Sequence, residues 1–169
     1  MGGRAYDVVD PYMLDDADYV LISAGALSSN VRYAVKLLRE RGERVGFLRL
    51  IALRPFPTPM IRELLAGRKK VAVIDRDLSP GRGGAIAQEV KSSLYGFRDA
   101  PPVYGYLIGL GGRDVQVEKI LEVYEDLKRR EEPEDILWAD ITGLPIGPGH
   151  KPEEVEIKPL PELPKEATQ

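Results

Sequence analysis

The sequence is poor in the residues that most often carry metal and nucleophilic chemistry. It contains no cysteine and a single histidine, His150. A disulfide, a cysteine-ligated zinc site and a cysteine-ligated iron–sulfur cluster are therefore excluded within this chain. A histidine-based catalytic triad is nearly excluded as well, because His150 lies in a glycine- and proline-rich stretch and is interpreted as an exposed tail residue.

Long apolar runs, a secretory signal and an excess of basic charge are also lacking. No window approaches the roughly 18 apolar residues that a membrane span needs, and residues 1–10 show no basic start followed by an apolar run. The 24 basic and 27 acidic residues argue against nucleic-acid binding. We therefore expect a cytoplasmic protein that binds neither membranes nor nucleic acids. The single asparagine, Asn30, and the 14 prolines are typical of a thermophile.

Length and charge distribution divide the chain into three parts. With 169 residues, it fits one domain plus a tail better than two domains. We interpret residues 1–17 as an extended N-terminal segment and residues 18–141 as an α/β domain. Residues 142–169 are predicted to be an acidic, proline-rich tail, either disordered or laid along a partner.

Short apolar runs alternate with amphipathic stretches along the middle of the chain. Runs such as Val71 to Ile74 predict buried parallel strands, whereas apolar residues at helical spacing, such as Val31, Val35 and Leu38, predict helices. The alternation occurs four times and predicts a three-layer α/β fold, in which helices cover both faces of a mostly parallel sheet. The predicted strands span residues 19–22, 45–51, 70–75 and 103–110, the predicted helices about 28–41, 58–66, 84–95 and 115–130, and a short edge element 136–138.

The loop after the third predicted strand is the first candidate functional site. Ligands of open parallel sheets gather at this edge, and glycines before a helix let backbone N–H groups approach an anion. A tight turn in which glycine avoids clashes is the favoured interpretation, and anion or partner binding is the alternative. Asp75 and Asp77 could help to hold Mg²⁺, but no third ligand lies nearby in the sequence. The candidate residues of this loop are Asp75, Arg76, Gly81, Arg82, Gly83 and Gly84.

Two further loops carry candidate residues. The loop after the fourth predicted strand contains Arg113, which could bind a carboxylate or a phosphate. A structural or interface role is favoured for this loop, as it is for Arg54 at the end of the second predicted strand. The candidates of the loop after the fourth strand are Gly111, Gly112, Arg113 and Asp114.

Several segments, taken in order and at their spacing, carry a family resemblance. They are Asp16–Val20, Gly46–Pro57, Val73–Asp77 with Gly81–Gly84, and Gly109–Val115. Together they resemble the C-terminal, transketolase-C-like domain of the α chain of pyruvate or related 2-oxoacid:ferredoxin oxidoreductases. The resemblance covers about residues 6–141, and it implies a transketolase C-terminal-domain-like version of the α/β fold.

The resemblance also implies an activity for the complete enzyme. The family oxidatively decarboxylates a 2-oxoacid, such as pyruvate, on thiamine diphosphate, passes electrons through [4Fe–4S] clusters to ferredoxin, and transfers the acyl group to coenzyme A. Thiamine diphosphate, Mg²⁺ and the clusters are expected elsewhere in the complex, with none in this chain. Thiamine-binding and iron–sulfur chains are therefore the expected partners. No catalytic residue is carried over to this sequence, and the isolated chain is expected to be inactive.

Two roles for the chain remain open at this point. A complete α chain of that family would begin with a longer pyrimidine-binding domain, so this chain is interpreted as an excised domain or as a separate subunit from a split gene. In both cases its role would be structural. The alternative is a free-standing small-molecule or anion-binding regulatory module of the same fold, in which Arg82 and Arg113 would bind the ligand.

Overall fold

The alternation of apolar runs and amphipathic stretches produces one sheet with helices on both faces. The computed structural model describes residues 7–134 and 136–139. Within these residues the elements, in chain order, are β1 (Val9–Tyr12), β2 (Tyr19–Ala24), α1 (Leu27–Glu40), β3 (Val45–Leu50), α2 (Thr58–Leu65), β4 (Lys70–Asp75), α3 (Ala85–Leu94), β5 (Val103–Leu107), a 3₁₀ turn (Leu110–Gly112), α4 (Val117–Arg129) and β6 (Leu137–Trp138).

The sheet is mostly parallel, as the sequence predicts. Its strand order is β1-β3-β2-β4-β5-β6, and only β1 runs antiparallel to its neighbour. In the central pair, Tyr19 of β2 lies opposite Lys70 of β4, and Ile22 lies opposite Val73. Since both faces of β2 and β4 are covered by helices, their apolar residues run continuously rather than alternating with polar ones.

Successive residues of each central strand enter different halves of the core. Leu21 packs with α1 and α4 on one face, whereas Val20 and Ile22 pack with α2 and α3 on the other. In β4, the adjacent residues Val73 and Ile74 likewise enter different halves of the core, because successive side chains of a strand point to opposite faces. This arrangement confirms the three-layer α/β fold, with two helices on each face.

The N-terminal segment differs from its sequence-based interpretation. Residues 9–12 form the antiparallel edge strand β1, although the run is short and contains Pro11, a residue tolerated at sheet edges. Arg39 of α1 then holds the following loop, donating to both carboxylate oxygens of Asp16, at 2.9 and 2.8 Å, and to the Met13 carbonyl at 2.6 Å. Residues 9–17 are therefore packed against the α/β domain, whose predicted first residue is 18.

The ends of several elements also differ from prediction. Helix α1 begins at Leu27, and Ser28 is buried, with its Oγ 3.3 Å from that of Ser23. Strand β5 ends at Leu107 rather than at residue 110, because Gly109 has a φ of 70° that no strand accommodates. Helix α1 ends in a C-terminal cap at Gly42, which has a φ of 83°, and the Glu43 N–H donates to the Leu38 carbonyl at 3.1 Å. The tail boundary at residues 141–142 and His150 lie outside the described residues.

A lysine from the sheet caps the end of α4. The Lys70 ammonium donates to the carbonyls of Leu127 and Lys128, at 3.1 and 3.0 Å, and to that of Arg130. These carbonyls lack intrahelical partners and carry the negative end of the helix dipole. Lys70 thus fixes α4 against the first residue of β4.

We predict that Lys70→Met lowers the free energy of unfolding by about 2 kcal/mol, because the carbonyls at the end of α4 lose a charged donor. Urea denaturation followed by circular dichroism measures this change. Lys36→Met is the matched control, since Lys36 is exposed and its nearest ion-pair contact, with Glu40, is 4.0 Å long. Equal losses for the two variants would contradict the capping role.

Candidate functional site at the carboxyl edge of the sheet

The carboxyl ends of β2 and β4 border an open cleft. These strands are neighbours, yet α1 leaves β2 toward one face and α3 leaves β4 toward the other. Such a switch point is where ligands of open α/β sheets bind. The cleft has a volume of about 510 Å³ and is lined by Ala24, Gly25, Ala26, Leu27, Leu50, Ile51, Leu53, Ile74, Asp75, Arg76, Asp77 and Ile86.

Asp75 is the buried polar residue of this cleft. Its side chain lies at the end of β4 and is 1% exposed. Its Oδ2 accepts a hydrogen bond of 3.0 Å from the Ala87 N–H in the first turn of α3. A Cβ on Gly84 would lie 2.5 Å from Cγ of Asp75, so glycine is the residue that lets the carboxylate reach the helix. Asp75 therefore caps α3 from the neighbouring strand.

Burial and a second carboxylate make Asp75 a weak acid. Burial is the largest effect and raises the pKa, the Ala87 N–H lowers it, and the charge and hydrogen bonding of Asp77 raise it further. The resulting pKa is about 7. Oδ1 of Asp75 is buried and has no hydrogen-bond partner in the described part of the chain.

The glycines after Asp77 form a tight turn. The Arg82 N–H donates to the Ser79 carbonyl at 2.9 Å, and Gly81 has a φ of 77°. Proline followed by a glycine of positive φ is the signature of a type II turn. Gly83, with a φ of 84°, then pairs back with Ser79 through hydrogen bonds of 2.8 and 3.1 Å. Turn conformation accounts for these glycines, and anion binding by Arg82 stays a prediction.

Arg76 joins the two glycine loops. Its Nη2 lies 3.0 Å from the Arg113 carbonyl and 3.4 Å from the Gly109 carbonyl. A Cβ on Gly109 would lie 2.9 Å from Nε of Arg76 and 2.6 Å from Cγ2 of Val115, so the close approach requires glycine there. Gly111 and Gly112 have φ values of 71° and 81°, and they build the exposed turn that continues to Arg113 and Asp114.

Arg54 connects the loop after β3 to α3. Its Nη2 lies 2.6 Å from Oε1 of Glu89, and its Nη1 donates to the Leu53 carbonyl at 2.6 Å. The guanidinium is exposed, so the pair positions the loop and adds roughly 0–1 kcal/mol to stability. An interface role for Arg54 stays a prediction.

Two of the candidate site residues, Asp75 and Arg76, line the cleft, together with Asp77, which was considered with Asp75 as a possible Mg²⁺ ligand. The other predicted residues form the surrounding turns. The sequence analysis did not include residues 24–27, or the apolar residues Ile51 and Leu53, among its site candidates. The Ser-Ala-Gly that ends the first predicted strand is a signal for this part of the site. This signal identifies the site only once β2 and β4 are known to be neighbouring strands, and local sequence patterns do not reveal that pairing.

The donor groups of this chain do not fit the cofactors implied by the resemblance. The 169-residue sequence offers no cysteine for an iron–sulfur cluster. Across residues 7–134 and 136–139, no three His, Cys, Asp or Glu side chains come together as a metal site. Asp75 is already bound to α3, so the Asp75–Asp77 pair is a poor anchor for Mg²⁺ and a pyrophosphate.

Within residues 7–134 and 136–139, no helix is both long and apolar enough to cross a membrane.

The protein family described as pyruvate:ferredoxin oxidoreductase core domain II matches residues 17–120. The chain belongs to this family. The match confirms the resemblance that the motifs indicate, and it includes both β4 with Asp75 and the whole loop that leads to α3. Residues 121–169, including most of α4, lie beyond the matched region.

Known relatives of this core domain II chain are subunits of 2-oxoacid oxidoreductases. The pyruvate synthase subunit PorA of Thermotoga maritima is 43% identical over 124 residues, which are 73% of this chain and 32% of the relative. The ketoisovalerate oxidoreductase subunit VorA of Pyrococcus abyssi is 38% identical over 128 residues, 75% of this chain and 32% of the relative. The chain thus spans about a third of the length of these relatives.

A solved structure supports the fold. The 2-oxoglutarate:ferredoxin oxidoreductase from Magnetococcus marinus, with 2-oxoglutarate, coenzyme A and succinyl-CoA bound, superposes with a TM-score of 0.54 at 20% identity. The likeness covers 72% of this chain and 20% of that chain. At this identity it shows that the core domain II fold is shared.

We predict that Gly84→Ala lowers the free energy of unfolding by about 2 kcal/mol, because the new Cβ overlaps the Asp75 carboxylate. The backbone of Gly84, with φ −71° and ψ 139°, suits alanine, so the cost comes from the overlap alone. In an Asp75→Gly background, which removes the carboxylate and also the Cβ of residue 75 that the new Cβ would meet at 2.6 Å, the same substitution should cost much less. Additive effects in this double-mutant cycle, measured by urea denaturation, would refute the packing of Asp75 on Gly84.

The raised pKa of Asp75 predicts a pH-dependent loss of stability. The folded protein holds this proton more tightly than the unfolded chain, whose value is near 3.8. The stability linked to the proton is therefore fully present below about pH 4 and is lost as the pH rises through about 7.

Asp75→Asn should remove this loss, since the amide keeps an acceptor for Ala87 and gains a donor for Asp77. We expect a melting temperature roughly 3 °C or more above the unsubstituted protein at pH 8, and a smaller difference at pH 4. Differential scanning calorimetry measures both. Asp99→Asn, at an exposed loop position, is the control. A difference that does not change with pH would show that Asp75 does not titrate in this range.

Proposed function

We propose that this chain is a non-catalytic structural and assembly domain, or a separate α subunit from a split gene, of a thiamine-dependent 2-oxoacid:ferredoxin oxidoreductase. Pyruvate is the proposed substrate, in line with the pyruvate synthase subunits among the relatives. The enzyme as a whole would convert the 2-oxoacid to an acyl-CoA and deliver electrons to ferredoxin. Membership of the core domain II family supports this proposal.

The observation that carries the structural role is that Asp75 and Arg76 join the end of β4 to α3 and to the following loop. Both are placed at the edge where chemistry would be expected, and each binds the domain itself through one polar atom, Oδ2 of Asp75 and Nη2 of Arg76. The Asp75 carboxylate binds the first turn of α3, and the Arg76 guanidinium binds the carbonyls of the next loop. These contacts shape the edge of the sheet, which supports a structural role for both side chains.

If this chain is structural, the cofactors of the enzyme belong to its other domains or subunits. Thiamine diphosphate, Mg²⁺ and [4Fe–4S] clusters would be held by other domains or subunits, because this sequence has no cysteine and residues 7–134 and 136–139 bring together no group of three metal-binding side chains. Thiamine-binding and iron–sulfur chains are the proposed partners, with ferredoxin and coenzyme A acting at the level of the complex. A cytoplasmic location and a thermophilic source belong to the same proposal.

A second candidate function is small-molecule or anion binding in the cleft. The observation that favours it is the position of the cleft at the β2–β4 switch point, with the first turn of α1 on its wall. The N–H groups of that turn lie at the positive end of the helix dipole. In this case the chain would be a regulatory module of the same fold.

The isolated chain is predicted to show no pyruvate-dependent reduction of ferredoxin and no binding of thiamine diphosphate. Both should be observed when the chain is purified together with its thiamine-binding and iron–sulfur partners. Steady-state assays and isothermal titration calorimetry make these measurements. Turnover by the pure chain would overturn the structural role, and heat with phosphate, a nucleotide or coenzyme A would favour the second candidate.

A further inference from the structure

Exposed large apolar side chains concentrate at one end of the domain. Among the described residues, seven such side chains are exposed, and four of these lie at the carboxyl edge of the sheet or in the first turn of α2, which starts there. Monomer surfaces seldom gather such residues without a partner. The four are Ile51, which is 48% exposed, and Leu53, Met60 and Leu78, each 38% exposed.

The surface around these residues is preformed. Ile51 and Leu53 line one wall of the cleft, and Ile86 of α3 contributes to its lining as well. The loop that carries Leu53 is held to α3 by the Arg54–Glu89 ion pair. The loop that carries Leu78 is held at its start by Asp75 and Arg76. A partner would therefore meet an ordered apolar surface rather than loops that must be ordered on binding.

The charges around this apolar surface are mostly positive. The loops at this edge carry four arginines and two exposed aspartates, while Asp75 is buried with a pKa of about 7. Arginines around an apolar centre are a common composition for a protein interface. The complementary partner has an apolar centre and an acidic rim. The charged residues are Arg54, Arg76, Arg82, Arg113, Asp77 and Asp114.

We propose that this carboxyl edge is the docking surface for the part of the oxidoreductase subunit that this chain does not span. The proposal rests on the proposed function. The chain covers 32% of the PorA relative, so about two-thirds of such a subunit is available as the occupant, on the same or on a separate polypeptide. A second copy of this chain fits poorly, because two-fold pairing would place the arginine-rich rims of both copies against each other.

The test co-expresses the chain with the polypeptide of the same organism that aligns with the remaining two-thirds of PorA-type subunits. The unsubstituted chain should co-purify with this polypeptide. Leu53→Glu and Leu78→Glu should each weaken the complex by about tenfold or more, because a carboxylate is buried in the apolar centre. Tyr95→Glu is the matched control, since Tyr95 is 87% exposed at the far end of α3.

Hydrogen–deuterium exchange provides a readout that does not depend on folding of the variants. In the complex, residues 51–54 and 76–84 should become protected relative to the chain alone, whereas the surroundings of Tyr95 should not. A complex that survives both leucine substitutions, or protection confined to the Tyr95 region, would overturn the docking surface and leave the proposed function standing. Failure of the unsubstituted chain to form any complex would overturn the proposed function. A dimer of this chain that is lost in Leu53→Glu would identify a second copy as the occupant.

Discussion

The burial of one carboxylate organises the carboxyl edge of this domain. Asp75 ends a central strand, lies against Gly84 and accepts a hydrogen bond from the first turn of α3. The next residue, Arg76, extends the same edge by binding the carbonyl of Arg113 in the following loop. Two loops and one helix therefore depend on the conformation at the end of β4. The cost of desolvating the carboxylate is partly offset by the helix N–H, and burial together with the nearby Asp77 raises the pKa of Asp75.

The opposite end of the sheet is closed by a different set of buried polar contacts. Lys70 caps α4, and Tyr106 donates to Asp126 at 2.8 Å, while Arg130 pairs with the same carboxylate. Asp126 and Arg130 are both largely buried, so a missing partner would leave a charge with little solvation. Polar contacts therefore hold the domain both at the carboxyl edge of the sheet and at the end of α4.

Much of the fold could be predicted because its signals are local. The apolar runs that contain Val20 and Val71 predict buried strands, and the spacing of Val31, Val35 and Leu38 predicts α1. Features that depend on long-range contacts could not be predicted. Residues 9–12 form a strand by pairing with β3, and Ser28 is buried in α1 with its hydroxyl 3.3 Å from that of Ser23. The carboxyl edge was predicted as a site, but its lining residues were mostly missed.

The sequence by itself determined the α/β alternation, the tight turn that contains Gly81, and the family to which the chain belongs. These depend on side-chain type and on spacing of a few residues. Only the tertiary structure decided that Asp75 is buried against α3 and that β2 and β4 share a cleft. The physical reason is that strand order and burial follow from packing between segments some 50 residues apart, as in the pairing of Tyr19 with Lys70. No local pattern of residues encodes which of these segments become neighbours.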